Sequence, residues 1–223
     1  MDQLPLEIHI TGDGSPTLYS LAFNEIYHSR HGALTESQHV FIEKGLNYIL
    51  GKTTQIRLLE VGFGTGLNAW LTALALPPEA QVMYMGLEPF PVSEQIVSQL
   101  NFEAVLPFAA SLPLSALHQA PWNTACPINP QFELLKIKNT LEEWPGAAHL
   151  DLVYFDAFAP EKHPDLWELT VFEKIAAMMR PEGALVSYCA KGLFKRHLKA
   201  AGFAVESLPG PPGKREMTRA IKL

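Results

Sequence analysis

The stretch that decides the fold is Ile56-Arg57-Leu58-Leu59-Glu60-Val61-Gly62-Phe63-Gly64-Thr65-Gly66-Leu67-Asn68. Its first half, residues 56–61, is an apolar run closed by a glycine, the pattern of a strand buried on both faces. Gly62, Gly64 and Gly66 follow, and then an apolar segment, residues 67–76, stopped by Pro77-Pro78. Strand, glycine turn and helix in that order bring backbone amides and a helix N-terminus to one place, where a carboxylate or phosphate is favoured. The nicotinamide pattern G-x-G-x-x-G would need glycine at position 67, where Leu67 stands. Glu88 lies 22 positions after Gly66, at the expected end of a second strand over residues 81–87. A carboxylate there can accept hydrogen bonds from both hydroxyls of a ribose. Either feature alone is weak, because glycine loops often only make a tight turn. Together, at this spacing, they point to an adenosyl cofactor.

Upstream of that stretch, residues 6–11 alternate apolar and polar, Gly12-Asp13-Gly14-Ser15 supplies a turn, and residues 17–21 resume, so a β-hairpin is expected. Residues 36–50 put Ile42, Leu46 and Ile49 on one helical face, with Thr35 as the expected N-cap. Downstream, a helix is expected over 92–100, and residues 103–130, rich in proline and small residues, read as an irregular insertion. Strands are expected over 132–137, 150–155 and 184–188. A helix carrying Phe172, Ile175 and Met179 on one face ends at Arg180-Pro181, and another spans 192–201, closed by Gly202. Two last strands, 203–208 and 216–221, flank Pro209-Gly210-Pro211-Pro212-Gly213, a connection suited to a hairpin-like return and not to a helical crossover. Repeated βα units imply a mainly parallel sheet with helices on both faces.

Composition limits the alternatives. A chain of 223 residues with 48% hydrophobic content fits one α/β domain, residues 1–50 being a hairpin and helix appended to a core over 51–223. Cys126 and Cys189 are far apart in sequence and read as small buried hydrophobes in a reducing compartment. The N-terminus has no basic region followed by an apolar one, and the most apolar region, 58–78, contains Glu60, Asn68 and three glycines. No secretion signal and no membrane span is expected, and a cytoplasmic protein follows. The net charge of −6 argues against a general nucleic-acid binder, but it is uneven. Residues 191–223 hold eight basic and two acidic side chains, a balance of +6, which leaves −12 for the rest. That segment is either a solvated surface or a polyanion contact. His28, His31 and His39 have no fourth ligand spaced with them, so no metal site is expected. Trp167 reads as a packing anchor, and Ser187 and Cys189 have no adjacent base to make them nucleophiles.

Two motifs carry a resemblance. Glu60 completes E-x-G-x-G-x-G and is similar to the cofactor loop of class I, Rossmann-like methyltransferases, whose mainly parallel sheet ends in an antiparallel strand. Asp156-Ala157-Phe158-Ala159-Pro160-Glu161-Lys162-His163-Pro164-Asp165-Leu166-Trp167 resembles the D-G-F-A-P-x-K-N-P-x-[ML]-W signature of tRNA 5-methylaminomethyl-2-thiouridine methyltransferases, the methyltransferase domain of MnmC and stand-alone MnmD. Ala157 replaces Gly and His163 replaces Asn. The family's G-F-G-T-G-L-N is present over 62–68 and its K-R-E-M over 214–217; Asp13-Gly14-Ser15, Tyr27-His28-Ser29 and Glu36-Ser37 look familiar too.

The resemblance implies S-adenosylmethionine held by Glu60, Gly62, Phe63, Gly64, Thr65, Gly66, Asn68, Glu88 and Asp156. It implies substrate contacts from Tyr27, Glu36, Phe158, Lys214, Arg215 and Glu216. The partner it implies is a tRNA anticodon stem-loop, methylated on the 5-aminomethyl group of a wobble (2-thio)uridine, with no fused oxidase domain in this chain. Near Asn139 many methyltransferases carry an acid that meets adenine, and none stands here, which leaves that contact unassigned. Asp156, at the carboxyl end of a strand, is the candidate for binding the amine and accepting its proton, against a purely local role in orienting backbone. The alternatives are an aminopropyltransferase, whose loop would read G-G-G-D-G, a methyltransferase acting on a small-molecule amine or a protein, and a non-catalytic tRNA-binding module.

Overall fold

The computed structural model describes residues 5–106 and 111–223. The start of the N-terminal reading, Met1 to Leu4, and residues 107–110 of the expected insertion lie outside the described residues. The expected hairpin forms as β1 (Leu6–Ile10) and β2 (Pro16–Ser20), and a short third strand, β3 (Glu25–Ile26), pairs with β2. Next comes a continuous helical run of α1 (Ala33–Ser37), a π-wound stretch (Gln38–Leu46) and α2 (Asn47–Leu50). It buries Val40, Phe41, Ile42, Leu46 and Ile49 against the main sheet.

That sheet has eight strands: β4 (Gln55–Val61), β5 (Gln81–Leu87), β6 (Cys126–Asn129), β7 (Phe132–Ile137), β8 (Leu150–Phe155), β9 (Met179–Ser187), β10 (Phe203–Pro209) and β11 (Glu216–Lys222). Their order is β10-β11-β9-β8-β4-β5-β7-β6. The five strands from β9 to β7 run parallel, while β11 and β6 pair antiparallel to their neighbours. β4 and β8 lie at the centre, which is why both read as nearly unbroken apolar runs; every residue of β8 is buried. β11 slots between β9 and β10, so the last hairpin closes one edge of the sheet.

Helices cover both faces. The N-terminal helical run, α3 (Leu67–Ala75) and α5 (Leu114–Gln119) lie on one side, where Phe41 meets Tyr154 and the Trp70 indole donates to the Leu112 carbonyl. On the other side α6 (Leu169–Met178) and α7 (Gly192–Ala200) bring Phe172 and Phe194 against Phe155 and Trp167. Trp167 is buried there, with its indole N–H on the Phe158 carbonyl.

Four local expectations need correcting. Thr35 does not cap the first helix, which begins after Gly32; its amide and hydroxyl both donate to Asp13 Oδ2, at 2.9 and 2.8 Å, tying helix to hairpin. Met179 is not the last apolar position of α6 but the first residue of β9, drawn into register opposite Leu150. The helix expected over 92–100 shrinks to α4 (Glu94–Val97), because Ser93 caps it late and Asn101 caps a separate 3-10 turn just beyond. Residues 103–130 are not wholly irregular: α5 packs Leu114 and Leu117 into the core, and β6 adds an edge strand. Cys189 is buried as expected, whereas Cys126 is only half-buried.

One glycine in a strand interior has a packing reason. A Cβ on Gly86 of β5 would stand 2.5 Å from Cδ2 of Phe63, whose ring lies close to Gly66 and packs edge-on to His118 and Trp122. Gly86→Ala should therefore overpack this contact and lower stability by about 1–3 kcal/mol. Urea denaturation checks it, and an unchanged midpoint would show that the ring has somewhere else to go.

Candidate active site

A cavity of about 480 Å³ opens at the carboxyl ends of β4, β5 and β8, beneath β3 and the segment that follows it. Gly62, Phe63, Gly64, Thr65, Asn68, Glu88, Asp156, Tyr27, Glu36, Phe158 and Lys214 line it. Glu60, Gly66, Arg215 and Glu216 do not. Gly66 is the left-handed residue from which α3 starts, and Glu60 is fully buried behind the loop. Glu216 pairs with Lys195 at 2.8 Å, away from the cavity, and Arg215 is exposed.

The loop keeps its shape because β8 presses on it. Gly62 has φ of +93°, and a Cβ there would stand 2.5 Å from the Asp156 carbonyl oxygen. The carboxylate of Glu88 accepts the Gly64 amide on one oxygen and the Phe90 amide on the other, both at 2.9 Å. Each oxygen keeps a lone pair for a further donor, as a ribose diol would require. Burial nonetheless pushes the Glu88 carboxyl up to about 7, against those two bonds.

Asp156 follows β8 directly, with its amide on the Val61 carbonyl at 3.0 Å. The Asn68 side-chain amide donates one hydrogen to Asp156 Oδ2 at 2.8 Å and the other to Glu60 Oε1 at 2.9 Å. Burial, and then the charge of Glu36, raise the Asp156 carboxyl to about 7, with Asn68 and Lys214 pulling the other way. Burial and then the charge of Asp156 push the Glu60 carboxyl well above its usual range, which favours its neutral form. Across the cavity, Glu36 accepts the Ser29 amide at 2.8 Å and faces the Lys214 ammonium at 2.5 Å. That ammonium lies 3.9 Å from the centre of the Tyr188 ring. Tyr27 sets its ring edge-on to Phe158, with centroids 5.1 Å apart.

Several contributors escaped the sequence reading. His118 of α5 donates its Nε2 hydrogen to the Thr65 carbonyl at 2.9 Å, and burial holds its pKa down to about 4, so the neutral tautomer persists. The buried Lys136 ammonium donates to the His118 carbonyl at 2.6 Å. Asn139, Thr140 and Leu141 line the wall where no acid was found. The segment read as irregular thus backs the glycine loop, a role that leaves no motif. The three histidines are not gathered: His28 is held between Thr17 and Thr65, and His39 between Glu43 and the Pro209 carbonyl. Much of the basic tail is neutralised internally, through Lys191–Glu161, Lys195–Glu216, Lys214–Glu36 and Arg219–Glu206 pairs.

A family profile described as S-adenosyl-L-methionine-dependent methyltransferase matches residues 116–223. Over 97% of its length the chain is 32% identical to the tRNA 5-methylaminomethyl-2-thiouridine biosynthesis bifunctional protein MnmC of Cupriavidus metallidurans. The chain spans 34% of that relative, about a third of its length. The crystal structure of MNMC2 from Aquifex aeolicus superposes with a TM-score of 0.76 over 99% of this chain and 71% of that one, at 26% identity. Spermidine synthase from Thermotoga maritima gives a TM-score of 0.58 at 10% identity, covering 100% of this chain and 70% of its own, a likeness of fold alone. S-adenosylmethionine, the cofactor named by that family profile, suits a cradle in which a Cβ on Gly62 would collide with the Asp156 carbonyl and a carboxylate follows the second core strand. No helix among the described residues is long and apolar enough to cross a membrane.

The two raised carboxyls set a pH dependence of stability. Asp156 and Glu88 move from 3.8 and 4.5 to about 7, so between those values the folded chain holds protons that the unfolded chain releases. Their contribution is complete at low pH and is lost as pH rises through about 7. Asp156→Asn should flatten the fall in stability between about pH 4 and 7, measured by denaturant titration; an unchanged slope would show that Asp156 ionises normally.

Proposed function

We propose that the chain methylates the 5-aminomethyl group of wobble (2-thio)uridine in the anticodon stem-loop of tRNA, acting in the cytoplasm as one domain over residues 1–223. The observation that carries this reading is a carboxyl poised near neutrality, Asp156, fixed by Asn68 in the same cavity as the glycine loop and Glu88. In this reading Glu88 accepts the ribose hydroxyls, and the amides of residues 62–66 face the rest of the adenosyl group. Bound S-adenosylmethionine supplies an electrophilic methyl on sulfonium sulfur.

The acceptor arrives as an ammonium, by analogy with a lysine side chain of pKa about 10.4. Asp156 binds it and takes one proton, which frees the lone pair. Transfer would form an N–CH₃ bond as the S–CH₃ bond breaks, leaving neutral S-adenosylhomocysteine and a secondary ammonium. An acceptor with pKa near 7 is better matched to this transfer than an ordinary aspartate. Glu36 offers a second negative charge to the incoming ammonium, and Lys214 holds Glu36 in place until then. Tyr27 and Phe158 wall the acceptor side, while Arg215 and Glu216 meet the RNA outside the cavity. Arg196, Lys199 and Arg215 are exposed and form no ion pair among the described residues, which leaves them as the C-terminal segment's exposed, unpaired cations for phosphates.

Methyl transfer to tRNA bearing 5-aminomethyluridine, read by nucleoside mass spectrometry, tests the assignment. Asp156→Asn should lower kcat by about 10²–10⁴-fold, with cofactor affinity nearly unchanged. Glu88→Ala should weaken S-adenosylmethionine binding about tenfold or more in calorimetry, since two charge-assisted hydrogen bonds are lost. The wild-type rate should rise with pH through about 7 as Asp156 ionises. Near-normal turnover of Asp156→Asn at saturating substrate would send the proton elsewhere. Removing charge at Arg196, Lys199 and Arg215 should raise the Michaelis constant for tRNA and flatten its salt dependence. Normal tRNA binding by that variant would place the RNA on another face.

A further inference from the structure

Four rings stand at the mouth of the cavity and are not used by the mechanism above, apart from Phe158 as wall. Phe23, on the turn between β2 and β3, is the central one. Its centroid lies 5.0 Å from that of Phe158, 6.4 Å from His163 and 6.5 Å from Phe90, with interplanar angles of 37°, 39° and 55°. All four line the cavity. None is buried, and Phe90 is 38% exposed, unlike Phe155, Phe172 and Phe194, which pack as core on the far side of the sheet. The turn is fixed from both sides: the Lys162 ammonium donates to the Asn24 carbonyl at 2.8 Å, and the Phe23 amide donates to Ser20 Oγ. His163 occupies the position where the resembling signature carries Asn, so this chain adds a ring to the rim.

We propose that Phe23, Phe158 and His163 form the stacking subsite for the planar base of the acceptor nucleotide, a reading that rests on the proposed function. The occupant follows from placement. The acceptor amine is joined to its base by one methylene, so a base whose amine meets Asp156 lies beside Phe158, two residues further on. Phe90 belongs to the cofactor side, because its amide is bound by Glu88. A flat π-face on rigid aromatic side chains suits a base taken out of its stack, and such stacking does not depend on hydrogen-bond readout. His163 widens the platform on the outer edge, where it needs no buried partner.

The experiment compares wild type, Phe23→Leu, Phe23→Tyr and His163→Asn in radiolabelled methyl transfer to tRNA carrying 5-aminomethyluridine, with S-adenosylmethionine affinity measured separately by calorimetry. Phe23→Leu keeps apolar bulk but removes the ring, and should raise the Michaelis constant for tRNA roughly tenfold. Phe23→Tyr should recover most of it, His163→Asn should raise it by about threefold, and cofactor affinity should stay within about twofold throughout. An unchanged Michaelis constant in Phe23→Leu overturns the platform. So does an equal loss of cofactor affinity, which would place the rings on the adenosyl group. Should Phe23→Leu fail to bind cofactor through misfolding, His163→Asn decides alone, since it leaves the Phe23 packing in place. If wild type transfers no methyl to this tRNA, the proposed function itself falls and the platform with it.

Discussion

The two hydrogens of the Asn68 amide go to two different carboxyl groups, Glu60 on β4 and Asp156 after β8, and the site depends on that division. Two buried acids this near cannot both carry charge cheaply. The fully buried one is driven toward its neutral form, and the one on the cavity wall is left to titrate near neutrality. Asn68 is the second residue of α3, so the same fork also fixes the start of that helix against the two central strands. The glycine loop between them has few shapes left. Gly62 must clear the carbonyl of Asp156, and Gly64 must turn its amide to Glu88. Glu60 thus meets the cavity wall only through Asn68.

Charge in the rest of the molecule is arranged around the same centre. Lys214, in the basic tail, turns inward to Glu36 and lies against Tyr188, so part of the C-terminal positive balance is spent inside the cavity and not displayed. Lys195 and Arg219 secure the last hairpin through Glu216 and Glu206. Part-buried pairs of this kind tie the strand edges together and hold β10 and β11 in register beside β9. The N-terminal unit contributes the other wall. Asp13 fastens the hairpin to the first helix, which carries Glu36 to a point opposite Asp156, while the turn after β2 carries Phe23 over the mouth.

Much of this was legible from residues 56–68 and 150–156. Unbroken apolar runs meant central strands, alternate glycines meant a turn that lines the cavity, and Glu88 and Asp156 fell at strand ends where open α/β sheets place their crevice. Such signals are readable because backbone constraint, burial and periodicity act over a few neighbouring residues. The misreadings were of the same local kind. Thr35 has the chemistry of a cap, but Asp13, 22 residues away, takes its hydrogens; Met179 fits the helical stripe, but Leu150 pulls it into a strand.

What tertiary structure alone decided is which side chains meet across the chain. Nothing in the segment around Leu114 announces that His118 will brace the Thr65 carbonyl, or that Lys136 will brace His118 in turn. Nothing in the +6 tail distinguishes Lys214, half-buried against Glu36, from Arg215 beside it, which faces solvent. The sequence by itself determined the sheet, the glycine cradle and the two carboxylates, because each follows from short-range pattern and backbone sterics. The fold decided their charge states and partners, because desolvation and Coulomb coupling depend on distances between residues far apart in the chain.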